Sequence, residues 1–373
     1  MKRTIFPGSF DPFTRGHFAV LCKAFETFDE VIIAIGVNDE KKSLFSAEKR
    51  KELILSSLAD FFYGNCQGLS IDEQRVAKDY LDGKKSIKVD VYDGLLVDFC
   101  LKVGVYNVTR GVRQGDDDYE HHLLMTNKAL ARVRGFDFRQ TYISLRWADH
   151  ISSSTVKKLF EFGEYVAAMD YVSPSVHNVM SEMYLENYPA FSDIVPQFLD
   201  VYRKRQYHNF SHLAYCMNYL NIARRQVDVK DWVRFGLAIL FHDYVMGEGD
   251  DERKSAEFVA NRIPYPTMTN ERIRYTTSLI MATEHSEERD WEGDEAIMHD
   301  IDLVCLADEK NSQMFTKLIR KEYPEATDEE FAEGRKAFFE GMLKRNSIFK
   351  HEFFISRFEE TARENIKKMI ALL

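Results

Sequence analysis

Short apolar runs rich in β-branched residues alternate with longer stretches of helical spacing through the first half of this 373-residue chain, and then the alternation stops. The short runs fall at 4–6, 31–37, 87–91, 107–109 and 141–145; helical patterns lie between and after them at 18–28, 47–62, 95–103, 119–133 and 154–162. Strands separated by helices cannot pair as hairpins. The pattern therefore predicts a parallel sheet with helices on both faces, and such sheets bind ligands beyond the carboxyl ends of their strands. From about Pro174 onward only amphipathic helical patterns remain, at 175–188, 210–224, 232–246, 254–263, 271–283, 295–307, 313–322, 328–344 and 353–371. Thr327 followed by Glu330 is one of their N-terminal caps. The expected class is α/β plus all-α: a parallel-sheet domain over 1–182 and a helical domain over 183–373, with the boundary in 182–189. The polar stretch 64–85 reads as a loop with at least one helical turn.

Composition limits the function classes. A net charge of −10 favours solubility and argues against general nucleic-acid binding. Cys22, Cys66, Cys100, Cys216 and Cys305 are scattered, with no CxxC, so a zinc knuckle or redox pair is not expected; they read as small apolar fillers in a reducing compartment. No leader is recognisable and no window reaches the ~18 apolar residues of a membrane span. A cytoplasmic protein without membrane partners is the expectation.

The first constellation is Phe6-Pro7-Gly8-Ser9-Phe10-Asp11-Pro12-Phe13-Thr14-Arg15-Gly16-His17. A strand ends at Phe6, Pro7 and Gly8 turn the chain, and Gly16 permits a close backbone approach to a ligand. A helix starting near His17 would offer free N–H groups and its dipole to an anion, with the imidazole at the mouth of the site. A lone Gly-His pair would be only a surface turn, but the full run is far more specific.

That run resembles the PGxFDPxTxGH signature of nucleotidyltransferases, with Thr14 and His17 in the two motif positions. Further segments match in order: Lys41-Lys42-Ser43-Leu44-Phe45, Thr109-Arg110-Gly111-Val112-Arg113, Asp118-Tyr119-Glu120 and Ile151-Ser152-Ser153-Ser154-Thr155-Val156-Lys157. Over about residues 1–182 the chain is similar to phosphopantetheine adenylyltransferases. The resemblance implies a Rossmann-like domain that moves AMP from ATP to 4′-phosphopantetheine, giving dephospho-coenzyme A and pyrophosphate. The attacking phosphate is already a nucleophile, so catalysis is positioning and charge stabilisation. By the resemblance, His17 stabilises the transition state. Lys41 and Arg110 hold the acceptor phosphate, with Ser9, Phe10, Thr14 and Leu96 in the substrate site. Gly111, Arg113, Glu120, Trp147, Ser152, Ser153 and Ser154 hold ATP, accompanied by Mg²⁺. The segment 114–118 is shorter and more acidic than the family's, and 64–85 is an insertion of roughly twenty residues. Another phosphate acceptor therefore remains an alternative. Relatives form rings, which makes a homo-oligomer an expectation.

The second constellation is Tyr207-His208-Asn209-Phe210-Ser211-His212, then Phe241-His242-Asp243, Thr283-Glu284-His285 and Asp300-Ile301-Asp302-Leu303. His208 and His212 are four apart and would share one helix face. Each histidine alone is more often a core or surface residue than a ligand. The ordered set on apolar helices suits a divalent transition metal, because a buried Asp243 without a partner would be costly. With Glu252-Arg253-Lys254-Ser255-Ala256 the pattern resembles HD-type metal-dependent phosphohydrolases over about 185–373. The resemblance implies His212, His242, Asp243 and Asp302 as ligands of Mn²⁺, Fe²⁺, Zn²⁺ or Mg²⁺, His208 as proton donor, and His285 as a second-metal or phosphate contact. Asp300 competes with Asp302. The phosphoester substrate is open, and so is a catalytically silent, regulatory helical domain.

Overall fold

The computed structural model describes residues 1–37, 42–66, 68–112, 117–186, 200–263, 269–286 and 288–373. The chain folds into two compact units, Met1–Phe162 with Ala167–His177, and Gly163–Val166 with Asn178–Leu373.

The first unit runs β1 (Arg3–Gly8), α1 (Arg15–Ala24), β2 (Glu30–Val37), α2 (Ala47–Phe62), α3 (Ile71–Leu81), β3 (Ser86–Asp93), α4 (Leu96–Val103), β4 (Asn107–Val112), α5 (Asp117–Val133), β5 (Arg139–Ser144), a 3-10 turn (Arg146–Ala148) and α6 (Ser153–Glu161), and α7 (Tyr165–Ala168) is divided between the units after Val166. All five strands pair in parallel in the order β3-β2-β1-β4-β5, a Rossmann-like sheet. Period-two alternation divides β2 between two cores. Val31, Ile33 and Ile35 join Phe6, Phe18 and Phe61 on one face, while Ile32 and Ala34 join Ile5, Val97 and Val108 on the other. Both faces are thus covered, as continuous apolar strands require. The chain winds outward from β1 through β2 to β3 and returns to β4 on the other side of β1. That reversal opens a crevice beyond the ends of β1 and β4.

The insertion is more ordered than its polarity suggests. It carries α3, whose capping box pairs the Ser70 hydroxyl with the Glu73 amide and the Glu73 carboxylate with the Ser70 amide. Val76 and Ala77 are buried, and Tyr80 stacks on Phe62 with centroids 4.3 Å apart.

The division between units falls within α8 (Pro174–Glu186), which also contains the boundary expected near 182. The second unit continues with α9 (Asp200–Arg203), α10 (Phe210–Ala223), α11 (Trp232–Phe241), α12 (Asp251–Arg262), α13 (Asn270–Met281), α14 (Gly293–Leu303), a 3-10 turn (Val304–Ala307), α15 (Ser312–Arg320), α16 (Asp328–Lys344) and α17 (Glu352–Ile370). Its described residues form no strand. Among the described residues no helix is long and apolar enough to cross a membrane, and all five cysteines are free thiols.

Candidate active sites

In the first unit a pocket of about 210 Å³ opens at the β1/β4 crevice. Ser9, Phe10, His17, Arg110 and Gly111 line it, with Asp149 and Ile151 on the far wall. The loop is shaped by contacts a sequence only hints at. A Cβ on Gly8 would stand 2.8 Å from the Phe10 ring, so only glycine fits there. A Cβ on Gly16 would meet the Ile151 carbonyl at 3.2 Å, so glycine permits a close approach to the 151 segment there.

Thr14 caps α1 in a capping box with His17. The His17 Nδ1 accepts the Thr14 amide at 3.0 Å, so the proton of the neutral ring sits on Nε2. Phe10 and Phe13 pack on the imidazole at 5.0 and 5.5 Å between centroids and fix its plane. The expected row of open amides is reduced. The Arg15 N–H donates to the Tyr171 carbonyl at 2.8 Å, and the His17 N–H to the Thr14 hydroxyl at 3.4 Å. An anion entering this pocket would meet the imidazole, the helix dipole and a guanidinium.

That guanidinium is Arg110 on β4. Its Nε and one Nη donate to the two Glu120 oxygens at 2.9 and 2.6 Å, a bidentate clamp with Glu120 buried. Glu120 therefore orients Arg110, whereas the sequence suggests a direct nucleotide contact. Ser152 caps α6 by accepting the Thr155 amide at 2.9 Å, and the Ser153 hydroxyl donates to the Pro12 carbonyl at 2.8 Å. Both hydroxyls hold the loops together. Ser154 and Trp147 are exposed, Leu96 is half-buried at the start of α4, and none of the three lines the pocket. Lys41 and Arg113 lie outside the described residues.

Two residues that sequence reasoning missed tie the loops to the sheet. Asp11, 5 % exposed, accepts the Leu44 and Phe45 amides at 2.7 and 3.0 Å and pairs with Lys157 at 3.2 Å. Arg50 donates to the Ser9 and Gly36 carbonyls at 2.7 and 3.3 Å, linking the ends of β1 and β2. Asp11→Ala is expected to lower unfolding stability by about 1.5–3 kcal/mol, because two amides and an ammonium lose a charged acceptor. A denaturant midpoint that does not move would contradict it.

In the second unit the donors converge. The Nε2 atoms of His212 and His242 are 3.2 Å apart, and the Asp302 Oδ1 lies 3.3 and 3.4 Å from them. The Asp243 Oδ2 is 2.9 Å from the His242 Nε2 and 3.3 Å from that of His212, yet makes no hydrogen bond of proper geometry though buried. Two buried imidazole nitrogens with two partly buried carboxylates beside them, one oxygen of which is orphaned, fit a divalent cation. The His242 Nδ1 lies 2.8 Å from the Ile239 carbonyl, which fixes Nε2 as the inward lone pair. Burial tends to raise both carboxyls, but the surrounding imidazoles outweigh it and hold Asp243 and Asp302 well below the usual carboxylate range.

His208 and His212 do not share a helix face. Asn209 caps α10, so His208 precedes the helix. It nonetheless reaches the cluster, its ring centroid 5.5 Å from that of His212. Glu322, beyond α15, holds it there: one oxygen lies 2.6 Å from the His208 Nδ1, the other accepts the amides of Gln206, Tyr207 and His208 at 2.9, 2.8 and 3.1 Å. Helix α11 ends at Phe241, so His242 and Asp243 sit just past it rather than within a helix reaching 246. His285 bonds the second oxygen of Asp302 at 2.9 Å. Asp300 faces elsewhere, accepting the Lys350 and His351 amides at 2.7 Å each.

Residues 5–159 match the cytidylyltransferase-like family. The phosphopantetheine adenylyltransferase of Porphyromonas gingivalis is 38% identical over 170 residues, covering 45% of this chain and 94% of the relative. That of Flavobacterium psychrophilum is 35% identical, covering 44% and 91%. That of Frankia casuarinae is 32% identical, covering 45% and 91%.

Proposed function

The chain belongs, through its first unit, to the phosphopantetheine adenylyltransferase family, and on that premise we propose that it transfers the adenylyl group of ATP to 4′-phosphopantetheine, releasing pyrophosphate and dephospho-coenzyme A. The observation that carries this reading is the His17 imidazole, held in one orientation by the Thr14 amide where it lines the crevice together with Arg110. A donor fixed before reaction stabilises charge developing on the α-phosphate without reorganising. Arg110, clamped by Glu120, and Lys41 hold the acceptor phosphate. Gly111, Arg113 and the segment 147–154 take the nucleotide with its Mg²⁺. The test is pyrophosphate release by the full chain with ATP and 4′-phosphopantetheine, with the product weighed by mass spectrometry. Pyrophosphate that appears without the acceptor, or not at all, would refute the assignment.

For the second unit we propose an HD-type metal-dependent phosphohydrolase. His212, His242, Asp243 and Asp302 would hold a divalent cation, which when bound supplies positive charge against a phosphoester and acidity to an attacking water. Glu322 holds the Nδ1 side of His208, so a proton passes to a leaving group through Nε2. Glu322→Gln is expected to lower kcat for hydrolysis of phenyl phosphate, whose basic leaving group needs a proton, by about 10²-fold with KM nearly kept, since a positioned general acid contributes at least this much. A variant with unaltered kcat would remove His208 from the mechanism.

A further inference from the structure

We propose that Cys216 is a further ligand of the metal centre in the second unit, making the site selective for a thiophilic transition ion such as Zn²⁺ over Mg²⁺. The inference rests on the metal-site reading above. Cys216 follows His212 by one turn on α10, so the two side chains share a face. Its sulfur lies 3.8 Å from the His212 Nε2. One ligand atom each of His212, Cys216, His242 and Asp302 lies within 4.8 Å of all the others.

The spacing is informative. A tetrahedral centre with metal–nitrogen and metal–oxygen bonds near ~2.0–2.2 Å and a metal–sulfur bond near ~2.3 Å has donor–donor edges of roughly 3.3–3.6 Å. The nitrogen and oxygen edges here are 3.2, 3.3 and 3.4 Å, and the sulfur–nitrogen contact is 3.8 Å. A cysteine that merely fills a core faces apolar neighbours. Cys216 is wholly buried and faces two imidazoles and a carboxylate. Asp243 stands beside the same histidines and supplies an additional oxygen when coordination expands. Thiolate and imidazole select Zn²⁺, whereas Mg²⁺ prefers oxygen donors and retained waters.

The test uses the full chain, stripped with a chelator and reloaded with Zn²⁺ or Co²⁺. X-ray absorption at the zinc edge is expected to contain one sulfur at about 2.3 Å beside nitrogen and oxygen. The Co²⁺ form is expected to have a sulfur-to-metal charge-transfer band. Cys216→Ser should lose both signals. Cys305→Ser should keep both, although the Cys305 sulfur lies 3.5 Å from the Asp302 carbonyl. A wild-type shell of nitrogen and oxygen alone, or loss of the band in Cys305→Ser instead, overturns the role of Cys216 and leaves the metal site standing. Failure to bind Zn²⁺ or Co²⁺ stoichiometrically overturns both.

Discussion

Replacing His17 with alanine is expected to lower kcat for acceptor-dependent pyrophosphate release by about 10²–10³-fold, with far less change in KM for ATP. The asymmetry follows from where the imidazole acts. Ground-state binding of ATP is shared with Gly111, the segment 147–154 and the α1 dipole, whereas the Nε2 proton bonds most strongly when charge builds on the phosphoryl oxygens. The ring is also part of the α1 cap, since its Nδ1 accepts the Thr14 amide. The variant should therefore unfold about 1 kcal/mol more easily, the usual cost of a lost cap. Thermal melting alongside the kinetics separates the two effects. A loss confined to KM would assign His17 to binding alone.

Replacing His242 with alanine is expected to abolish stoichiometric metal and phosphoester hydrolysis together. It should also destabilise the metal-free second unit by about 3–5 kcal/mol, as when one partner of a buried ion pair is removed. The reason is electrostatic. Asp243 and Asp302 are held ionised within 3.4 Å of the His212 and His242 rings, and the Asp243 Oδ2 has no well-aligned hydrogen bond. Truncating His242 takes away a metal donor and part of the positive surround that keeps two carboxylates charged in a buried place. Elemental analysis and urea unfolding read the two consequences. Full metal occupancy in the variant would exclude His242 as a ligand.

The parallel sheet was legible because strands covered on both faces are continuously apolar, and β2 is buried from Glu30 to Ile35. The β1 loop was legible as well, since Gly8, Thr14 and His17 carry constraints of turn, cap and chemistry in twelve consecutive residues. Helix α3 was only partly visible: its polar surface hides a short apolar stripe, and the signal that marks it is the Ser70–Glu73 box. Position in a helix misled for His208. Four-residue spacing to His212 suggested one face, but Asn209 is a strong N-cap and starts α10 after it. The partners that orient His208 and Asp11 were beyond reach, because Glu322 lies 114 residues from His208 and Lys157 lies 146 from Asp11. Only tertiary packing brings such carboxylates to their targets. Cys216 carried a local signal, its one-turn spacing from His212, that an apolar-filler reading passed over.

The account depends most on the anion site beyond β1, and a crystal structure of the full chain with ATP and Mg²⁺ tests it directly. The expected result is the triphosphate in the β1/β4 crevice, with a phosphate oxygen in hydrogen-bonding distance of the His17 Nε2. A nucleotide bound away from that crevice, with the His17 ring untouched, would contradict it.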